Sequence, residues 1–170
     1  MRRDSKSRPF PFTHKELLDS FFYDPDVGQF LYKKTSRRMI AGQAAGCDHK
    51  TGYRRIGIKG RLYLEHRLAW FYFFKEEPPF LDHINGIKND NRICNLRVAT
   101  KSQNMANSKL NLRNKTGFKG VYVRKRDGMY AAQLCIDGCN KWLGSYSTAQ
   151  DAGEAYRLAA IGVFGDFART

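Results

Sequence analysis

The stretch from Leu81 to Asn104 leaves few folds open. Two short strand-like segments, Phe80 to Ile84 and Asn95 to Val98, flank Asn85-Gly86 and Asn89-Asp90-Asn91, residue types that favour tight turns. Thr100 then precedes Gln103 by three residues, a Thr-x-x-Gln capping box that starts a helix at about Lys101 and sets Asn104 in its first turn. The spacing predicts strand, loop, strand, helix. That order brings His83 and Asn104 to one small cleft.

The same stretch carries chemistry. Asp82 supplies a carboxylate, His83 an imidazole, and Asn85, Asn91, Asn95 and Asn104 spaced carboxamides. This combination suits holding a hard metal ion and a water against a phosphodiester. An Asp-His pair alone is more often turn or surface chemistry, and an Asn-rich loop is usually only a turn. Their joint spacing gives the pattern its weight.

Charge points the same way. Lys and Arg number 30 against 16 Asp and Glu, for a formal charge of +14 and a pI near 9.8. Such a surplus draws a chain to a polyanion by Coulomb attraction and counterion release. The bland alternative is a solvated basic surface with no partner. Met1 to Arg8 is charged with no apolar region after it, and the longest apolar run, Leu68 to Phe74, is too short to span a bilayer. A cytoplasmic chain with no membrane partner is expected. Cys47, Cys94, Cys135 and Cys139 are scattered without paired Cys-x-x-Cys knuckles and read as reduced thiols.

Upstream, Leu17, Leu18, Phe21 and Phe22 fall at helical spacing between Thr13 and Tyr23, with Thr13 and Glu16 placed as a cap. Asp24 to Gly28 is a turn and Gln29 to Lys33 a short strand. Tyr53 to Ile58 and Arg61 to Leu64 form a hairpin closed at Lys59-Gly60. His66 to Lys75 is apolar nearly all round, a buried helix ended by Pro78-Pro79. From Lys109 through Arg126 there are seven basic residues and no acid, a basic linker and phosphate-tracking arm.

Residues 117–170 follow another pattern. Val121 and Val123 alternate with Tyr122, Arg124 and Arg126, and Ala132, Leu134 and Ile136 alternate with Gln133 and Cys135. Asp127-Gly128 and Asp137-Gly138 turn the chain, the latter ahead of Trp142-Leu143-Gly144. Three antiparallel strands are predicted, apolar on one face and basic or polar on the other. Thr148 with Asp151 then opens a helix whose Ala152, Ala155, Ala159 and Ala160 pack closely on the apolar face.

Two resemblances attach to these residues. From about Phe12 to Asn107 the chain resembles the HNH homing endonucleases of phages and group I introns, through Tyr23-Asp24-Pro25-Asp26-Val27-Gly28, His66-Arg67-Leu68, Asp82-His83-Ile84-Asn85-Gly86, Asn91, Asn95-Leu96-Arg97 and Asn104. From Thr116 to Thr170 it resembles the AP2 DNA-binding domain, through Gly120-Val121-Tyr122, Tyr130 to Leu134, Trp142 to Tyr146, Thr148-Ala149, and Ala152, Ala155-Tyr156 and Ala159-Ala160. The pairing is typical of phage-borne free-standing endonucleases, as the resemblance implies.

The chemistry of the residues fits the first resemblance. Neutral His83 is suited to take a proton from a water in line with the leaving oxygen. Asp82 and the carboxamide oxygen of Asn104 offer hard ligands to one Mg²⁺ or Mn²⁺ ion. The resemblance gives Asn95 the task of holding the imidazole, through its ring N–H or nearby backbone. Asn104 stands where histidine-rich versions of the motif carry His, so binding should be loose and zinc is not expected. His66 is read as support for the site, through Arg67 or backbone contacts.

In AP2 domains the sheet enters the major groove. The matching positions here are Lys119, Tyr122, Arg124, Arg126, Gln133, Cys135, Asn140 and Trp142. Arg124 and Arg126 can fork onto guanine or phosphate, Gln133 can pair with adenine, and Trp142 can lie against sugars or bases.

The expectation is an α+β chain of two domains. Residues 1–107 form a ββα-metal (HNH) nuclease domain with a β-rich N-terminal extension, residues 108–116 a basic linker, and residues 117–170 an AP2-like three-stranded antiparallel sheet plus helix. It would be a metal-dependent, site-specific, homing-type endonuclease that nicks double-stranded DNA as a monomer or weak dimer. The rival is a non-catalytic AP2-type transcriptional regulator whose nuclease site has decayed.

Overall fold

The computed structural model describes residues 9–37, 39–77 and 80–169. The chain divides into two compact units, Met1–Val98 and Ala99–Thr170. The division falls nearer the N-terminus than the boundary expected at residue 107, so the helix that carries Asn104 belongs to the second unit.

The first unit opens with helix α1, His14–Ser20, capped reciprocally by Thr13 and Glu16. Phe21 ends it and starts β1, Phe21–Asp24, which pairs antiparallel with β2, Gln29–Tyr32. Then come β3, Cys47–Asp48, β4, Arg54–Ile58, and β5, Arg61–Leu64, forming one antiparallel sheet. The β4–β5 turn has Lys59 at φ 49° and Gly60 at φ 76°, the twin positive values that a tight two-residue hairpin requires.

Helix α2, Glu65–Phe74, follows β5 directly and ends on Lys75 in the left-handed region. The helix therefore stops before Pro78-Pro79, which lie outside the described residues, as do Met1 to Arg8. Strands β6, Leu81–His83, and β7, Leu96–Val98, pair antiparallel with Asp82 opposite Arg97 and His83 opposite Leu96. The core of this unit is aromatic: Phe12, Leu17, Phe21, Tyr23, Phe30, Ile56, Leu68 and Phe71 are buried together with Leu96. Burying rings of this size is the main stabilising term available to so small a unit.

The second unit begins with α3, Lys101–Ala106, and its Thr100/Gln103 capping box is formed. Strands β8, Val121–Val123, β9, Tyr130–Ile136, and β10, Cys139–Tyr146, make an antiparallel sheet ordered β10-β9-β8. Helix α4, Ala149–Phe164, is capped by Thr148 and buries Ala152, Gly153, Tyr156, Ala160 and Phe164. Its small residues let it lie close: a Cβ on Gly153 would meet the Phe118 ring at 2.4 Å. Val123, expected to point inward beside Val121, is instead exposed, because β8 ends there and α4 covers only Val121 with Ala132.

Among the described residues all four cysteines are free thiols, and no helix is long and apolar enough to cross a membrane.

Candidate active site

Strand β6 puts Asp82 and His83 on consecutive positions, and both are buried. The Asp82 Oδ2 oxygen accepts from Arg97 Nε at 3.0 Å and lies 2.9 Å from Nη2 in an ion pair set by the β6–β7 register. His83 is only 5% exposed. Its Nε2 lies 3.1 Å from Asn91 Oδ1. Burial pushes the imidazole below its usual range, against the Asn91 hydrogen bond and the charges of Asp82 and Asp90, with Lys88 adding to the depression. At neutral pH the ring is therefore uncharged and able to accept a proton.

The loop between β6 and β7 is held by carboxamides. Asn95 Oδ1 accepts from the Asn85 backbone N–H at 3.0 Å, and its Nδ2 donates to Asn85 Oδ1 at 3.1 Å and to the Asp90 carbonyl at 2.8 Å. Asn95 thus fixes the backbone two residues beyond His83. The group on the imidazole itself is Asn91.

Behind Asn91 sits a carboxylate that sequence reading gave no role. Glu65, the first residue of α2, is fully buried and accepts from Asn91 Nδ2 at 3.1 Å, Arg54 Nε at 2.8 Å and the Phe30 N–H at 3.2 Å. Burial raises its carboxyl above the usual range, while Arg54, Phe30 and Asn91 oppose that shift. In sequence Glu65 shows only as the one acid between Asp48 and Glu76, which does not say what it binds.

His66 packs against the site through its ring. Its ring lies edge-on to His83 with centroids 5.0 Å apart, and Tyr53 lies 5.3 Å from His66 and 6.0 Å from His83. The Arg67 guanidinium reaches Glu77 at 3.7 Å. Burial first, then the neighbouring His83 and Arg67, holds His66 down at about 3. Lys88 donates to the Thr51 carbonyl at 3.1 Å and lies over the Tyr53 ring at 5.1 Å, tying the loop after His83 to the β3–β4 turn.

Among the described residues no group of three or more His, Cys, Asp or Glu could hold a metal ion. The Asp82 carboxylate is a hard oxygen donor of the kind that suits Mg²⁺ or Mn²⁺. Asn104 is half-buried in α3 of the second unit, with its backbone N–H on the Thr100 carbonyl.

Residues 63–106 match the model of the HNH endonuclease family. The matched segment runs from β5 through α3 and takes in His66, Asp82, His83, Asn91, Asn95 and Asn104. Over 98% of its length the chain is 26% identical to 92% of a protein of Acanthamoeba polyphaga mimivirus described as an uncharacterized HNH endonuclease. No solved structure gives a significant match.

In the second unit, cross-strand register sets Tyr122 opposite Ala131, Gln133 opposite Trp142 and Cys135 opposite Asn140, so these residues share one face of the sheet. Trp142 is 54% exposed, and Arg124 lies 5.8 Å over its ring while binding Asp127 at 2.6 Å. Arg126 is the more open of the two arginines, with a side chain 79% exposed. Lys119 departs from expectation. Its ammonium donates to the carbonyls of Ala106 at 2.5 Å and Arg169 at 2.8 Å, and burial pulls it down to about 8. It serves the packing of its own unit, joining the end of α3 to the C-terminal segment.

Proposed function

We propose that this chain is a metal-dependent endonuclease that hydrolyses phosphodiester bonds of double-stranded DNA, with His83 as general base. The observation that carries the reading is a buried, uncharged imidazole held by Asn91 next to the Asp82 carboxylate, inside the segment that matches HNH endonucleases. A group that takes a proton from water near neutral pH must be neutral and must not swing away. His83 meets both requirements.

Asp82 is the residue of the first unit that would hold Mg²⁺ or Mn²⁺. When bound, such an ion supplies electrostatic stabilisation of the phosphate and the leaving oxygen. The chain's own part is to accept the water's proton at His83, to keep the β6–β7 loop closed through Asn95, and to bring a net charge of +14 to a polyanion. The sheet of the second unit, read as an AP2-type module, supplies recognition through Tyr122, Arg124, Arg126, Gln133, Cys135, Asn140 and Trp142. With one candidate base per chain, a monomer nicks one strand per encounter. A homing-type role follows the same resemblance.

A regulator with a decayed site is disfavoured by the fully buried Glu65 and Asn91 behind His83, since an idle site gains nothing from sequestering a carboxylate in its support. The test is to incubate purified chain with supercoiled plasmid and then linear duplexes, with Mg²⁺ or Mn²⁺, and to map the ends. Site-selective nicking that disappears in His83→Ala while DNA binding persists is expected; cleavage by His83→Ala at the parent rate would overturn the assignment.

A further inference from the structure

Which nitrogen of His83 takes the proton is decided by groups buried behind it. A carboxamide alone cannot decide, because it can present either oxygen or NH₂ to a neighbour. Glu65 removes that freedom. Its ionised carboxylate only accepts, and the Phe30 N–H, Arg54 Nε and Asn91 Nδ2 converge on it as three donors. Arg54 is held in turn by the Ala45 carbonyl at 3.0 Å and by Asp48 at 3.2 Å, so it cannot yield its place to Asn91 cheaply.

The Asn91 backbone is fixed as well, by the Tyr23 hydroxyl on its carbonyl at 2.6 Å. Rotating the amide by half a turn would set its oxygen against the Glu65 carboxylate in a pocket where both residues are fully buried. Such an opposed pair of acceptors has no water to relieve it. Asn91 Oδ1 must therefore face His83 Nε2, and Nε2 must carry the hydrogen.

We propose that Glu65 is a positioning residue: through the Asn91 carboxamide it locks His83 in the tautomer protonated at Nε2, leaving Nδ1 as the proton acceptor. The inference rests on the reading of His83 as the base, but the lock itself exists in the resting protein without metal or DNA. Glu65 thereby connects β2, β4 and α2 to the reacting residue.

The test reads the tautomer directly, by ¹⁵N chemical shifts of ring nitrogens in full-length, metal-free protein labelled at histidine, at about pH 8 where a free imidazole is neutral. The parent should show His83 as a single species with protonated Nε2. In Glu65→Met, which keeps the volume and removes the acceptor, His83 should become a mixture of both tautomers. The single-turnover cleavage rate should fall about 10-fold or more while DNA Kd stays within about twofold. Adding Asn91→Asp to that variant restores an acceptor-only group against Nε2, and should recover both the single tautomer and much of the rate; a merely structural role for Glu65 predicts no such rescue.

If Glu65→Met does not fold, Asn91→Leu replaces it with the same expected mixture. A parent His83 protonated at Nδ1, or a single Nε2-protonated species persisting in the variant, overturns the proposal. Absence of nuclease activity alongside the expected parent spectrum would count against the nuclease reading and leave the lock standing.

Discussion

The Tyr23 hydroxyl donates a 2.6 Å hydrogen bond to the backbone carbonyl of Asn91, joining β1 to the loop that holds His83. The turn after β1 closes on the same point. Gly28, at φ 75°, lies so near that a Cβ there would stand 2.3 Å from the Arg92 nitrogen. The Tyr23-to-Gly28 segment is thus a clamp on the residue that orients the imidazole. Tyr23→Phe should leave a buried carbonyl without its partner, at about 1–3 kcal/mol. Denaturant unfolding checks the loss, and cleavage should fall with little change in DNA affinity. Gly28→Ala, strained in both conformation and space, should be the more damaging; equal stability of the two variants would count against the clamp.

The depressed pKa of His83 fixes the acid side of the activity profile. Burial, the largest cause, disfavours the imidazolium. The neutral base should therefore survive below the ordinary histidine value of about 6.5. Plotted against pH, log kcat/KM should keep its plateau to below that value before dropping. A break at or above it would mean that His83 is more solvated, or not the base.

Much of the fold was legible because its signals are local. The Thr13/Glu16 and Thr100/Gln103 boxes each lie within four residues and start α1 and α3 where the spacing places them. The Lys59-Gly60 hairpin is equally local. Asp82 and His83 could be read from their motif. Glu65 could not, because its meaning depends on Phe30 and Asn91, 35 and 26 residues away, and a carboxylate at a helix start ordinarily faces water. Lys119 misled for the same reason: in sequence it is one cation of a basic run, and only the fold brings the Ala106 and Arg169 carbonyls to it. β3 is just two residues long, too short for any periodicity to register.

His66 ties stability to pH. Its folded pKa of about 3 lies well below the unfolded value, so between the two the unfolded chain binds the extra proton. The stability gained by keeping the ring neutral is fully present above about pH 6.5 and is lost as pH falls towards 3, by roughly 1–4 kcal/mol. His66→Phe, a ring without a titratable nitrogen, should flatten that acid slope in Tm measured from pH 7 down to 4. A parallel slope in parent and variant would place the acid sensitivity elsewhere.

The second unit separates cations available to DNA from one that is not. Arg126 is open to solvent and Trp142 stands on the exposed face, whereas the Lys119 ammonium is spent on two carbonyls. Arg126→Ala should cost up to about 1–3 kcal/mol of binding if it reads base edges, with relaxed specificity at one position. A phosphate contact would instead weaken all sequences alike and reduce the salt slope by about one. Trp142→Ala should weaken binding and also remove the ring under the Arg124 guanidinium, which keeps its ion pair with Asp127. Lys119→Met should leave DNA affinity within about twofold and lower Tm, since the carbonyls lose a charged donor. Fluorescence anisotropy on a mapped target at two salt concentrations, with thermal melts of the same samples, distinguishes these effects. A Lys119→Met variant that binds as poorly as Arg126→Ala while melting like the parent would return Lys119 to the DNA-facing set.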